Sequence, residues 1–181
     1  MEFLEMAGKR YSVRRFDTAR RVETEKINRI LEAARLAPSA HNLQSERILI
    51  LENDKSLLKL KACTPCHYNA PLAFVISYDR DICWKRDNDG ASGGQIDAAI
   101  AAVHMMFEAF EQGIGCTWVM GFDAQALKTA YNMPEILEPV AILVCGYPSS
   151  DVRPSSRHAK REALEALVTY NDYIDENMEG E

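Results

Sequence analysis

No apolar run in these 181 residues is long enough to cross a bilayer. The most apolar windows, PVAILVCGY and PLAFVISY, have strand length and fall far short of the ~20 residues a spanning helix needs, so a soluble chain is expected. The opening MEFLEMAGKRYSVRRF lacks the basic-then-apolar order of an export signal, which makes a reducing, cytoplasmic setting the expectation. Glycine-rich phosphate loops are missing as well. No G-x-G-x-x-G opens a helix after a strand and no Walker A sequence occurs, so neither a Rossmann dinucleotide site nor a P-loop is supported. Cysteines are few and odd in number, five, which argues against a complete disulfide framework. There is no internal repeat and no low-complexity tract. What is present suffices for one domain with a sizeable core, since 47% of the residues are hydrophobic.

The formal net charge of −6 hides an asymmetry. Lys9, Arg10, Arg14, Arg15, Arg20 and Arg21 stand against Asp17 alone, a local +5; Arg153, Arg157, Lys160 and Arg161 form a second cluster of +4, leaving −15 for the remainder. Two basic clusters at opposite ends of an acidic chain point to a localised anion site more than to nucleic-acid affinity, which calls for a broadly basic surface. The competing explanation is two solvated charged faces.

Hydrophobic spacing predicts interleaved helices and strands. Helices are expected over residues 2–9 and 23–37, the second with Ile27, Ile30, Leu31 and Ala34 on one face and Pro38 closing it. RILILE and LAFVISY read as strands, with a helix over NDKSLLKLKAC between them. In GQIDAAIAAVHMMFEAFEQG, Ile96, Ile100, Val103, Phe107 and Phe110 form one stripe, but the flanks are apolar too, so this helix is expected to be central, with His104 in the core. A strand at CTWVM, a helix from Asp123 to near Pro134, a buried strand at VAILVCGY and a last helix around residues 161–170 complete the reading.

Four stretches carry candidate chemistry. In RYSVRR, Arg10, Ser12 and Arg14 alternate, so in an extended chain they share a face and offer two guanidinium forks and a hydroxyl to a terminal phosphate. APSAHNLQ leaves a helix through small and amide side chains, which let backbone N–H groups and Asn42 approach a flat polar ligand. The glycines of GIGCTWVMGFD permit close approach of a ligand to the backbone. CTPCH, residues Cys63 to His67, has the spacing of a c-type haem attachment, but it equally fits a redox dithiol or two thiols with no joint role.

Taken in order, Arg10-x-Ser12-x-Arg14-Arg15-Phe16, Ala33-Ala34-x-x-Ala37-Pro38-Ser39-Ala40-x-Asn42-x-Gln44, Asn69-Ala70-Pro71, Gly113-x-Gly115-x-x-Trp118-x-x-Gly121-Phe122 and Gly146-Tyr147-Pro148 resemble the motifs of the FMN-dependent nitroreductase family across nearly the whole chain. The resemblance implies an α+β fold: a nitroreductase-like α/β sandwich with a central mixed β-sheet flanked by helices, in an intertwined homodimer holding FMN at two interface sites. It implies one FMN-binding domain over residues 1–175 and a frayed acidic tail over 176–181. Arg10 and Ser12 match residues that hold the FMN phosphate, and Arg161, with Lys160, resembles the C-terminal basic contact to it. Arg14 matches a basic residue near the pyrimidine edge of the ring. Pro38, Ser39, Ala40 and Asn42 match the stretch that reaches FMN from the partner subunit, and Met120 and Gly121 match the strand end whose backbone faces flavin N5. Ser45-Glu46 departs from the Pro-Trp that many members carry. The implied activity is ping-pong transfer of hydride from NADH or NADPH through FMN to a nitroaromatic, quinone or enone, with no catalytic side chain and no metal. Reductive dehalogenation, flavin cleavage and non-catalytic flavin binding are alternatives within the same fold. In this frame CTPCH lies beside the cofactor pocket, where an attached haem would compete for space, and Cys63 and Cys66 are read as unpaired thiols.

Overall fold

In the computed structural model, which describes residues 2–171 and 173, four strands form one sheet flanked by helices. The chain order is α1 (Phe3–Lys9), α2 (Thr24–Arg35), β1 (Glu46–Leu51), α3 (Asp54–Cys63), β2 (Leu72–Asp79), α4 (Gly94–Glu111), β3 (Gly115–Val119), α5 (Ala124–Tyr131) and β4 (Leu137–Gly146). The sheet order is β1-β2-β4-β3 and each neighbouring pair is antiparallel. A parallel element comes from an isolated bridge of Ser12 to Cys116 on the outer edge of β3. The tail at 176–181 lies outside the described residues.

Leu72–Ile76 of β2 and Val140–Cys145 of β4 are continuous apolar runs because both faces of the sheet are covered there. On one face Leu72, Phe74, Ile76, Ala141, Leu143 and Cys145 pack against α2 and α4; on the other Ala73, Val75, Ile142 and Val144 meet Leu60 of α3 and Leu127 of α5. Each large side chain so enclosed contributes about 1.5–3 kcal/mol relative to exposure. The register between β2 and β4 shifts where Ser77 pairs with Pro139 and Ile76 with Ala141, leaving Val140 as the extra residue. Proline has no N–H to give the ladder, so a bulge forms beside it. Polar caps start the helices on the second face: the Asn53 side chain accepts from Ser56 N at 2.9 Å and the Asp123 side chain from Ala126 N at 2.9 Å.

The central helix α4 is where sequence and structure part. Its buried side is Ala98, Ala101, Ala102, Met105 and Ala109, small residues that let the helix lie close to the sheet. The stripe of larger residues faces outward: Ile96 is 63% exposed, Val103 is exposed, and Ile100, Phe107 and Phe110 are half-buried. Phe3 of α1 packs on Phe107 with ring centroids 5.2 Å apart, covering part of this face. His104 is not in the core. It is exposed, with Nδ1 2.9 Å from the Ile100 carbonyl. The helix expected over 161–170 is reduced to a 3-10 turn at Leu164–Ala166 with every side chain from 161 to 170 exposed. Without a surface to bury an apolar face, so short a segment gains too little to stay helical. Among the described residues no helix is long and apolar enough to cross a membrane.

Candidate functional site

The segment that follows α1 docks on the edge of β3. Val13 N–H donates to the Cys116 carbonyl at 3.1 Å, and the Thr117 hydroxyl donates to the Val13 carbonyl. The side chains differ in exposure: Val13 is 2% exposed, Arg10 and Ser12 are half-buried, and Arg14 is exposed. Gly115 makes this docking possible, since a Cβ there would stand 2.5 Å from Val13 Cγ2. The expectation that this glycine opens the backbone to a ligand is corrected: its missing side chain is filled by the protein's own valine. A cavity of about 220 Å³ lies behind the segment, bounded by Arg10, Tyr11, Met106, Phe110, Ile114 and Cys116.

The C-terminal basic segment runs back along the same segment. His158 Nε2 donates to the Gly8 carbonyl at 2.9 Å, its ring meets Tyr11 edge-on with centroids 6.1 Å apart, and Ser149 N–H donates to the Arg15 carbonyl at 3.2 Å. This brings Arg161 within electrostatic reach of Arg10. Burial holds the Arg10 pKa below its ordinary value; Cys116 opposes this, and the Arg161 charge adds to it least. Among the described residues no carboxylate pairs with Arg10, Arg14, Lys160 or Arg161. Much of the remaining positive charge near the N-terminus is spent on structure. Arg15 pairs with Asp151 at 2.8 Å, Arg21 pairs with Asp54, Lys9 pairs with Glu5, and Arg20 lies over the Tyr147 ring at 3.3 Å. A half-buried guanidinium within range of a like charge, with a serine hydroxyl two residues along and no paired acid among the described residues, suits a phosphate in charge and donor chemistry. That is the test an FMN phosphate site must meet, and these residues meet it.

A second part of the site surrounds Gly121. The Thr64 hydroxyl donates to the Gly121 carbonyl at 2.5 Å and accepts from Cys66 N–H at 3.0 Å, while Asp123 N–H donates to the Cys63 carbonyl at 2.9 Å. The turn after α3 is thereby tied to the end of β3. Met120 is 58% exposed, and a Cβ on Gly121 would meet no described atom within 4 Å, so this strand end is open. Arg14 reaches the same region: its guanidinium acts on the Tyr68 hydroxyl, whose pKa is nonetheless raised, first by its bond to Cys66 and then by burial. Cys63 is buried at the end of α3, and burial, with Asp123 adding, pushes its thiol up. A thiol so placed is not poised as a thiolate. Sequence reasoning passed over Tyr68 and Thr64, which no periodicity singles out. It also missed that Cys116 faces Cys145 across the ladder, with sulfurs 2.9 Å apart.

Pro38, Ser39, Ala40 and Asn42 lie elsewhere. Their loop packs on the first turn of α4, where Ala40 N–H donates to Asp97 Oδ1 at 3.0 Å, and His41 stacks on Trp84 with centroids 5.9 Å apart. Arg10 sits against the far end of that helix, beside Phe110. Thirteen residues at 1.5 Å each separate the two ends by about 20 Å. Within one chain Arg161 lies within electrostatic range of Arg10, Arg14 lies beside the loop that holds Gly121, and the 38–42 loop stands apart.

A sequence model of the nitroreductase family matches residues 7–65 and 64–147. The chain belongs to the nitroreductase family. It is similar to a solved nitroreductase family protein of Clostridium difficile 630, at 36% identity and a TM-score of 0.90, over 96% of this chain and 100% of that one. An FMN-dependent nitroreductase of Clostridium difficile R20291 is 25% identical with a TM-score of 0.77, covering 94% of this chain and 100% of that one. A protein of Thermus thermophilus named NADH dehydrogenase is 27% identical over 83% of this chain and 89% of its own length. The nitroreductase fold expected from the motifs is thus the observed one.

Proposed function

We propose that this nitroreductase-family chain is an FMN-dependent oxidoreductase that takes hydride from NADH or NADPH and delivers it to an electron-poor acceptor, a nitroaromatic, quinone or enone, in a ping-pong cycle. The observation that carries the reading is the return of the C-terminal basic segment to the start of the chain, with His158 bonded to the Gly8 carbonyl and packed on Tyr11, while neither Arg10 nor Arg161 has a paired acid among the described residues. The names of the relatives, with their FMN, nitroreductase and NADH dehydrogenase activities, point the same way.

In this proposal Arg10 and Ser12 grip the FMN phosphate from one end of the chain and Arg161, with Lys160, from the other. Charge-assisted bonds of this kind are worth about 1.5–3 kcal/mol each. Arg14 lies by the pyrimidine edge and offsets the negative charge that grows there on reduction. The open backbone at Met120 and Gly121 leaves room for a donor and then an acceptor to occupy the same face in turn. Bound FMN supplies the two-electron chemistry itself. No side chain of the site is assigned as acid or base, and Cys63, with its raised pKa, takes no part.

The cofactor site is shared in a homodimer. The 38–42 loop, some 20 Å from Arg10 along α4, serves the partner's site and not its own. Apolar side chains left outside support the pairing: Ile96 and Val103 on α4, and Leu164, Leu167 and Tyr170 in the C-terminal segment, are all exposed in the single chain. Residues 1–175 act as one FMN-binding domain.

Denaturing the purified protein is expected to release FMN and not FAD. Replacing Arg10 and Ser12 together by alanine weakens FMN by about a hundredfold, the loss of roughly 3 kcal/mol of charged hydrogen bonding, and yields colourless protein. A double variant with full flavin content would remove the phosphate site.

A further inference from the structure

Asp97 is the single acidic residue between Gly93 and Glu108, on a helix whose other residues there are apolar apart from Gln95 and His104. It is 3% exposed. Its Oδ1 accepts from Ala40 N–H at 3.0 Å, and its Oδ2 is enclosed with no hydrogen-bond partner among the described residues. Burying a carboxylate with one oxygen unsatisfied is costly, so the position calls for a compensating role. Its setting eases the cost only in part. The first turn of an 18-residue helix favours a negative charge, but Glu46 of β1 stands close enough that the Asp97 charge, after burial, raises its pKa against the pull of its own backbone bond. Ser45, fully buried, also has a hydroxyl without a partner among the described residues.

The one bond Asp97 does make goes to the most strained loop of the chain. His41, Asn42 and Gln44 have φ of 52°, 56° and 50°, three non-glycine residues in the left-handed region within four positions. Each costs about 1–2 kcal/mol relative to ordinary backbone. Internal bonds shape the loop: Asn42 N–H donates to the Ser39 carbonyl at 3.0 Å and Gln44 N–H to the Ser39 hydroxyl at 3.1 Å. These bonds do not fix where the loop sits. Its anchorage to the helix is the bond from Ala40 to the buried carboxylate, with the stacking of His41 on Trp84 beside it.

We propose that Asp97 is a positioning residue for cofactor binding: it touches no ligand, but by holding the Ala40 amide it keeps the Pro38–Asn42 loop in the strained shape in which that loop meets the partner subunit's FMN. The proposal rests on the reading that this loop reaches FMN. Strain concentrated at residues 41–44 needs an anchor that does not yield, and a carboxylate enclosed at a helix start, unable to relax toward water, is such an anchor. The departure from the family motif at Ser45-Glu46 lies beside it, so the charged surroundings of Asp97 belong to this chain's own version of the loop.

The test uses the FMN-loaded protein and reads two quantities, amide hydrogen exchange over residues 39–44 and FMN affinity after removal and re-addition of the cofactor. Asp97→Asn keeps an acceptor oxygen for Ala40 and leaves both near wild type. Asp97→Ala speeds exchange across the loop by about tenfold or more and weakens FMN by about tenfold, as expected for loss of a buried charged hydrogen bond, while sheet amides keep their protection. Unchanged loop exchange in Asp97→Ala overturns the anchor. A loosened loop with unchanged FMN affinity overturns the proposal differently, by showing that the loop does not serve the cofactor. If the alanine variant does not fold, the wild-type protein decides: the Ala40 amide must exchange more slowly than that of His41, and equal rates overturn the anchor.

Discussion

Arg14 and Cys63 occupy neighbouring ground and divide the chemistry between two opposed expectations. The thiol of Cys63 is buried and pushed up in pKa, so it resists becoming the thiolate that a redox relay requires. Arg14 sits by Tyr68 near the open end of β3, where its guanidinium can act on charge that develops nearby. Replacing Cys63 and Cys66 by serine is therefore expected to leave nitroaromatic turnover within about threefold, since neither sulfur takes part in the proposed electron transfer and serine is close in size to cysteine. Arg14→Ala, at saturating FMN, slows flavin reduction by about tenfold in stopped-flow measurements, the effect of removing one exposed stabilising charge. A double serine variant that binds FMN but is inactive would restore the dithiol; an Arg14→Ala enzyme reduced at the wild-type rate would end the charge argument. At this scale the sequence was informative where a period of two applied: Arg10, Ser12 and Arg14 alternate around a Val13 that is 2% exposed. Asp97 had a signal too, a lone acid in an apolar helix, but its partner was the Ala40 amide 57 residues away, a pairing that no spacing predicts.

Among the elements, β3 and the segment beside it depend on a single missing side chain. Gly115→Ala would drive a Cβ to 2.5 Å from Val13 Cγ2 and lift the Arg10–Arg14 segment off the strand. Overpacking of this kind costs about 1–3 kcal/mol, which at about 2–4 °C per kcal/mol lowers the melting temperature by several degrees, and FMN affinity falls with it. Melting and affinity both at wild-type values would show that the segment is held elsewhere. The strands β2 and β4 were legible because sheets covered on both faces are built from continuous apolar runs. The orientation of α4 was not. A helix apolar on nearly every side carries no phase, so its pattern did not say which face turns inward, and the structure buries the small residues and turns the larger stripe outward. The last helix failed for a related reason: Leu164 and Leu167 supplied a pattern, but nothing in the single chain buries it.

At the level of the whole molecule, the proposed homodimer would account for both surfaces. The outward face of α4 and the exposed C-terminal segment are what a second copy would cover, and the 38–42 loop, about 20 Å from Arg10 along α4, would then serve the partner's site. Sedimentation of the native protein is expected at twice 20.4 kDa. Introducing a charge at Val103 should shift it toward the monomer and release flavin; a flavin-loaded monomer would contradict the shared site. The central claim, that this nitroreductase-family chain carries electrons from a nicotinamide through FMN, is tested most directly by anaerobic titration of the purified yellow protein with NADH or NADPH, followed by a nitroaromatic. The account predicts that the flavin band bleaches at one equivalent of nicotinamide per subunit and returns on addition of the acceptor. A flavin band that persists under excess NADH and NADPH would contradict it and leave a protein that binds the cofactor without using it.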